Sequence, residues 1–173
     1  MAQTYTIGQA GITFASSKSM LSVMNASGSG RIVRVYRIWI LNNQVTSVTG
    51  VLCTFAIKRI TATSGGSAVT PIKHDTTNES FPAQVTAQSG ATETYSDIFR
   101  TLLYSNDEAA VGTGTWDEFE TLPALMCVWD AGYGDSNIQP IVCREGQGLA
   151  VQHTGASAVG NCDVYMEVTL ASS

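Results

Sequence analysis

The sequence predicts an all-β protein, an antiparallel β-sandwich of the jelly-roll type with about eight to ten strands. Between Cys162 and Leu170, apolar residues occupy the even positions and mostly polar residues the odd ones. This period of two predicts a strand with one buried and one solvated face. Residues 31–41 are rich in β-branched and aromatic side chains, and turn-forming residues recur between short apolar runs along the chain.

The first part of the chain carries only short β signals. Residues 1–15 are uncharged, and we expect them to form an N-terminal arm that lies over a neighbouring subunit. A single sandwich domain is then expected over residues 16–173. Within the first part, residues 12–15 and the apolar residues 20–24 are predicted as extended segments, and the Gly- and Ser-rich residues 25–30 as a loop.

Residues 31–41 give the strongest strand signal in the chain. In the second half of this run, Ile38, Trp39 and Ile40 leave no polar face. A strand that is apolar on both faces lies in the middle of a sheet or is covered by a neighbouring subunit. Residues 49–60 alternate apolar and polar side chains, and the short polar stretch between the two runs favours a hairpin.

The strands predicted in the middle of the chain are short or ambiguous. Residues 69–75 contain Pro71, which cannot donate a ladder hydrogen bond and so argues against a central strand. Residues 85–87 have the composition of a short strand. Residues 97–104 fit both a helical stripe and a strand, and their length and flanking turns favour the strand.

Toward the C-terminus, an acidic and aromatic stretch over residues 116–122 precedes a predicted strand over residues 125–129. Residues 138–143 then lead into a tight turn in which Gly146 and Gly148 tolerate a positive φ. A further strand follows this turn, and the terminal strand completes a ribbon around which the other strands are expected to pack.

Composition limits the classes of function. The chain has 173 residues, which favours one domain, and only 13% of them are charged, against about 25% in an average globular protein. The net charge of −5 argues against a nucleic-acid or anionic-membrane partner, because both need a basic face. The N-terminus has no basic segment followed by an apolar one, so a secretory signal is not expected.

The sequence offers weak candidates for chemistry. His74 and Asp75 are neighbours, and neighbours in an extended chain point to opposite sides, so a catalytic dyad is not expected. Asp130, Asp135 and Asn137 lie in a Gly-rich turn, but their spacing does not match a calcium-binding loop. We therefore expect no enzymatic activity, no cofactor and no metal site.

Four cysteines are widely spaced: Cys53, Cys127, Cys143 and Cys162. They form no CxxC pair, which argues against a structural zinc site. Buried free thiols and disulfide bonds both remain open.

Two short segments carry a resemblance to a known class of proteins. Residues 65–75 read GGSAVTPIKHD, and residues 144–151 read REGQGLAV. Together and in this order, they resemble small virion structural proteins of tailed bacteriophages, found among head decoration (cement) proteins. The resemblance implies a non-enzymatic β-sandwich that is made in the host cytoplasm, binds the major capsid protein on the capsid surface, and is often oligomeric. It carries over no defined functional residue.

The apolar strand faces predict self-association as a dimer or trimer, because a monomer would expose them to water. The alternative is a monomer in which loops such as residues 116–125 cover that face. A second hypothesis is a tail or fibre component that binds a host-surface glycan through aromatic residues such as Trp116 and Tyr133. The candidate interface residues are Ile38, Trp39, Ile40, Val164, Met166, Trp116 and Phe119.

Overall fold

The computed structural model describes residues 3–42, 51–106, 125–131, 138–154 and 160–173. At the ends of some strands, namely residues 42, 51–53, 104–106 and 125–127, it describes the backbone alone. The described residues form strands and no helix. The strands are β1 (Gln3–Thr13), β2 (Ser19–Asn25), β3 (Arg31–Asn42), β4 (Val51–Ser64), β5 (Ser67–Ala68), β6 (Ile72–Lys73), β7 (Val85–Ser89), β8 (Thr92–Asn106), β9 (Leu125–Asp130), β10 (Ile141–Cys143), β11 (Gln147–His153) and β12 (Asn161–Ser172).

These strands form two antiparallel sheets. Sheet A has the order β10-β3-β12-β1-β6, and β9 also pairs with β3; sheet B has the order β5-β7-β2-β11-β4-β8. The strands β9 and β10 pair with successive stretches of β3, so together they fill one strand position. The sandwich core is thus β1-β12-β3-β9/β10 facing β2-β11-β4-β8, with β5, β6 and β7 added at the edges.

The path of the chain through these positions is that of a jelly roll. It changes sheets at each step from β1 to β4, again between β8 and β9, and at each step from β10 to β12. Among the core strands, only β4 and β8 follow one another within one sheet, where they pair over most of their length. The predicted fold class, an antiparallel β-sandwich of jelly-roll type, is confirmed.

The two sheets bury one continuous apolar core. In β12, the apolar even positions face the opposite sheet as the alternation predicts, while Tyr165 and Glu167 are half-buried on the outer face. The core side chains with no exposed surface include Tyr5, Ile7, Val33, Val35, Ile38, Ile40, Phe55, Ile57, Leu149, Val151, Val164, Met166 and Val168.

A β-bulge in β3 explains its irregular pattern of apolar residues. Val35 pairs with Val168 and Arg37 with Glu167, which leaves Tyr36 as an extra residue between them. A bulge changes which face the following residues occupy. Val33 and Val35 before the bulge, and Ile38 and Ile40 after it, therefore all enter the same core.

The predicted N-terminal arm is wrong for the residues that the structure describes. The strand β1 pairs with β12 along almost its full length and with β6 on its other side. Tyr5 and Ile7 are completely buried in the core. Residues 3–13 therefore belong to the sandwich of their own subunit, since removing them would open the core between the sheets.

The predicted hairpin between residues 31–41 and 49–60 is also wrong. The strand β3 lies in sheet A and β4 lies in sheet B. The two runs are adjacent in sequence and each forms a strand as predicted, but successive strands lie in opposite sheets. The turn at Gly146 likewise joins β10 of sheet A to β11 of sheet B, so the C-terminal ribbon is a pair of sheet crossings.

Candidate functional site

Most of the predicted interface residues are buried within the subunit. Ile38, Ile40, Val164 and Met166 lie inside the core with no exposed surface, so they cannot contact another subunit while the chain is folded. Their apolar character serves the contact between sheets A and B. Trp39 is half-buried on the outer face of sheet A, opposite Tyr165. Trp116, Phe119 and Tyr133 lie outside the described residues.

The REGQG turn has a structural role. Both carboxylate oxygens of Glu145 accept backbone hydrogen bonds from the β2–β3 loop, from Gly30 at 2.7 Å and from Gly28 at 3.0 Å. Gly146 adopts a φ of 73°, which favours glycine. A Cβ at Gly148 would lie 2.3 Å from the carbonyl oxygen of Val23. The turn thus holds the β2–β3 loop by hydrogen bonds, and its glycine at position 148 lets β2 and β11 approach closely.

The GGSAVTP segment forms an edge of sheet B. Gly66 has a φ of 83°, and a Cβ there would meet the carbonyl oxygen of Ser89 at 2.7 Å. Pro71 separates β5 from β6, as its missing N–H predicts. Both segments that carry the resemblance are therefore explained by backbone geometry, and neither is by itself a binding site.

His74 and Asp75 do not act as a pair. The Nε2 atom of His74 lies 2.7 Å from the hydroxyl of Thr6, in sheet A. The Asp75 carboxylate accepts hydrogen bonds from the backbone N–H and the hydroxyl of Thr77, and these bonds lower its pKa. Each side chain thus holds a local turn or strand contact, which accounts for both without catalysis.

Cys143 is a buried free thiol at the end of β10. Burial raises its pKa to about 11, and the nearby Arg59 opposes the shift. A thiol with this pKa carries almost no thiolate at neutral pH, so it is a packing residue. Cys162 is buried on the inner face of β12, and the side chains of Cys53 and Cys127 are not described.

A polar cleft opens where the β10 edge of sheet A meets β4 and β8 of sheet B. It has a volume of about 730 Å³, and we call it the arginine cleft. Its wall in sheet A follows from strand alternation, because the even-numbered residues of β3 up to the bulge, and Val142 of β10, face it. Its lining residues are Ile32, Arg34, Tyr36, Arg59, Thr61, Ser96, Asp97, Gln139, Pro140, Val142, Arg144 and Gln147.

Arg59 fixes the geometry of the arginine cleft. Its Nη1 donates to the carbonyl of Val142 at 2.8 Å and to the Oε1 of Gln147 at 3.1 Å. Its Nε lies 3.9 Å from the Asp97 carboxylate, and its guanidinium lies 5.0 Å from the centre of the Phe99 ring. Val142 is also the direct strand partner of Arg34, so Arg34 and Arg59 converge on the same stretch of β10.

The second exposed feature is the free edge of β8. In the described part of the chain, this strand of fifteen residues pairs with β4 and has no partner on its other side. Ile98 is 56% exposed and Leu103 68% exposed, which is unusual for such large apolar side chains in a strand. The strand contains no Pro and no Lys, but it carries the charged Glu93, Asp97 and Arg100, and register shifts interrupt its pairing with β4.

Tyr95 connects the β8 edge to the outer face of sheet B. Its ring lies 3.8 Å from the Nζ of Lys58, which also donates a hydrogen bond to Gln152. Burial lowers the pKa of Lys58. Tyr95 nevertheless remains half-exposed, so this contact leaves much of its ring available to a neighbour.

Within the described ranges, no group of three or more His, Cys, Asp and Glu side chains is placed to hold a metal ion. No helix among the described residues is long and apolar enough to cross a membrane. Comparison with protein-family models, with curated proteins and with solved structures gave no match.

Proposed function

We propose that this chain is a non-enzymatic structural protein of a tailed-phage virion, a decoration or cement protein on the capsid surface. Two features support the proposal. The jelly roll is a common fold of viral capsid domains, although lectins and cupins share it, so this support is an analogy of fold. The two segments that resemble decoration proteins form the turns and edges of this jelly roll.

The observation that carries the proposal is the outer edge of β8, which has no partner strand among the residues that the structure describes. A strand edge offers a row of backbone N–H and C=O groups to a strand of a neighbouring subunit. The exposed Ile98 and Leu103 would be covered in the same contact. Complete burial of a side chain of this size contributes about 1.5–3 kcal/mol, and a lattice multiplies such a modest contribution over many copies.

The neighbour at the β8 edge is a second copy of this chain. An antiparallel strand can pair with its own copy around a two-fold axis, which gives a closed dimer with the same surface on both subunits. The interface predicted from β3 and β12 is thus replaced by β8, whose apolar side chains remain exposed in the single subunit. The major capsid protein would bind another face of the dimer.

Binding to particles tests the proposed function. Phage heads that lack this chain would be heated with and without the purified protein, and genome release followed with a DNA-binding dye. The protein is expected to co-sediment with the heads and to raise the release temperature. Leu103→Lys should weaken both effects, because a charge at the β8 edge opposes pairing. Ile72→Lys is the matched control, since Ile72 is 67% exposed but lies on β6. Failure of the wild-type protein to bind heads would refute the proposal.

The second hypothesis, a tail or fibre component that binds a host glycan, was based on Trp116 and Tyr133. Both residues lie outside the described part of the chain. The same experiment separates the two functions, because a tail component would sediment with tails and leave the heat stability of heads unchanged.

A further inference from the structure

The arginine cleft has properties that neither capsid binding nor pairing of β8 uses. The chain has nine Lys and Arg residues in total and a net charge of −5. Three of its arginines, Arg34, Arg59 and Arg144, nevertheless line this one cleft, together with a single carboxylate, that of Asp97. The cleft is therefore locally positive on an acidic protein.

We propose that the arginine cleft binds an acidic sugar through its carboxylate group. The volume of about 730 Å³ falls within the range of about 300–1,000 Å³ found for small-molecule sites. Guanidinium groups are suited to this ligand, because their planar N–H donors match the two oxygens of a carboxylate. The site is independent of where the chain lies in a virion.

The three arginines have different roles in the cleft. Arg59 is held by Val142, Gln147 and the ring of Phe99, so it forms a fixed wall. Arg34 and Arg144 have no carboxylate within ion-pair distance among the described residues, where the ion pairs involve Arg31, Arg37 and Arg59. Their guanidinium groups are thus the ones that remain to bind a ligand carboxylate.

The other lining residues favour a sugar over an acidic peptide. The Asp97 side chain is 66% exposed and borders the arginines. It would repel a run of peptide carboxylates but can accept hydrogen bonds from sugar hydroxyls. Gln139 and Ser96 add further donors and acceptors, and Tyr36 provides an aromatic ring against which a sugar can pack. A nucleic acid is disfavoured by the negative charge of the whole chain.

The test compares two sugars that differ only at one carbon. The ¹⁵N-labelled full chain would be titrated with D-glucuronate and with D-glucose, and chemical-shift changes followed by NMR. Glucuronate should shift signals of the cleft residues in a saturable manner, and glucose should not. Arg34→Gln and Arg144→Gln should each weaken glucuronate binding by about tenfold or more, because a charged hydrogen-bond partner is lost. N-acetylneuraminate, a second acidic sugar, should bind at the same signals.

Arg31→Gln is the matched control for these substitutions. It removes a guanidinium that pairs with Glu79 outside the cleft, and it should leave the affinity unchanged. Three results would overturn the proposal: equal binding of glucose and glucuronate, no saturable binding of either acidic sugar, or full affinity in both cleft variants. Tighter binding of tetraglutamate than of glucuronate would also overturn it and would assign the cleft to an acidic peptide.

Discussion

His153 lies in the core between two phenylalanine rings. Its imidazole stacks on Phe14 at 5.3 Å between ring centres and meets Phe55 at 5.9 Å. The side chain has no exposed surface. Burial lowers the pKa of His153, and the nearby backbone of Ala15 opposes the shift in part. The neutral imidazole therefore acts as a flat packing group in an aromatic cluster.

The buried histidine makes the stability of the protein dependent on pH. Its pKa is lower in the folded state than the value of about 6.5 in the unfolded chain, so the unfolded state binds the proton first as the pH falls. Stability is then lost below about pH 6.5, until the pH passes the folded-state value. For this group the loss between about pH 7.5 and pH 5.5 is at most about 1.4 kcal/mol.

The measurement is urea unfolding of the wild type and of His153→Leu at both pH values. On acidification, the carboxylates change the free energy of unfolding of both proteins equally. The difference between the two losses is therefore the contribution of His153. The wild type should lose more free energy of unfolding on acidification than the variant does. Parallel losses in the two proteins would show that His153 can take up its proton in the folded state.

The sequence pattern of β11 is sufficient to place His153 on the inner face of the strand, although the residue carries no motif that would identify it. Leu149 and Val151 face the core, and a period of two from them puts His153 on the same inner face. By contrast, the alternation in β12 predicted the orientation of its side chains correctly. It succeeded because β12 keeps a regular two-residue period over its apolar face, since the bulge in this strand pair lies in β3, at Tyr36.

Two glycines in the sheets are required by close packing, but to different degrees. A Cβ at Gly148 would meet the carbonyl oxygen of Val23 at 2.3 Å and Ile60 at 2.8 Å, and the carbonyl is part of the paired strand β2. A Cβ at Gly8 would meet the Tyr165 ring at 2.2 Å. That ring lies on the outer face of sheet A, where it can turn toward solvent.

We therefore expect Gly148→Ala to destabilise the protein more than Gly8→Ala. Overpacking of a core typically costs about 1–3 kcal/mol, and a displaced backbone relaxes less than a displaced ring. Urea unfolding of the two variants gives the comparison directly. A Gly148→Ala protein as stable as the wild type would contradict the close approach of β2 and β11.

The β8 edge predicts the oligomeric state of the isolated protein. Light scattering at high micromolar concentration should show a dimer, because the exposed Ile98 and Leu103 are covered when two edges pair. Ile98→Lys and Leu103→Lys should each shift the protein toward monomer, while Ile72→Lys should remain dimeric. A wild-type protein that stays monomeric would exclude β8 as a self-association surface.

The sequence predicted most strands but not their partners. The runs over residues 31–41 and 162–170 were identified because each carries a strong local pattern. Residues 97–104 fitted a helix as well, and only their length and flanking turns favoured the strand. The hairpin between β3 and β4 was wrong because local alternation does not distinguish a return within one sheet from a crossing to the other. The sequence also did not predict the arginine cleft, because Arg34, Arg59 and Arg144 come together only through the pairing of distant strands.

At the scale of the whole molecule, the sandwich accounts for most of the apolar strand faces that the sequence contains. Two opposed sheets bury a continuous core, and the chain alternates between them. The core-facing apolar side chains on both halves of β3 therefore pack within one subunit. Several of the large apolar side chains that remain exposed lie on β8, at one edge of sheet B. A subunit of this kind is suited to repeated contacts in a lattice, where weak interfaces act together.

The location of the chain in the virion tests the proposed function most directly. Cryo-electron microscopy of purified phage particles would be compared with particles whose gene for this chain is deleted. We expect jelly-roll density on the outer surface of the head, with β8 edges of neighbouring copies in contact, and we expect this density to disappear in the deletion. Density for this chain in the tail, or no density on the head of particles that carry it, would contradict the proposal.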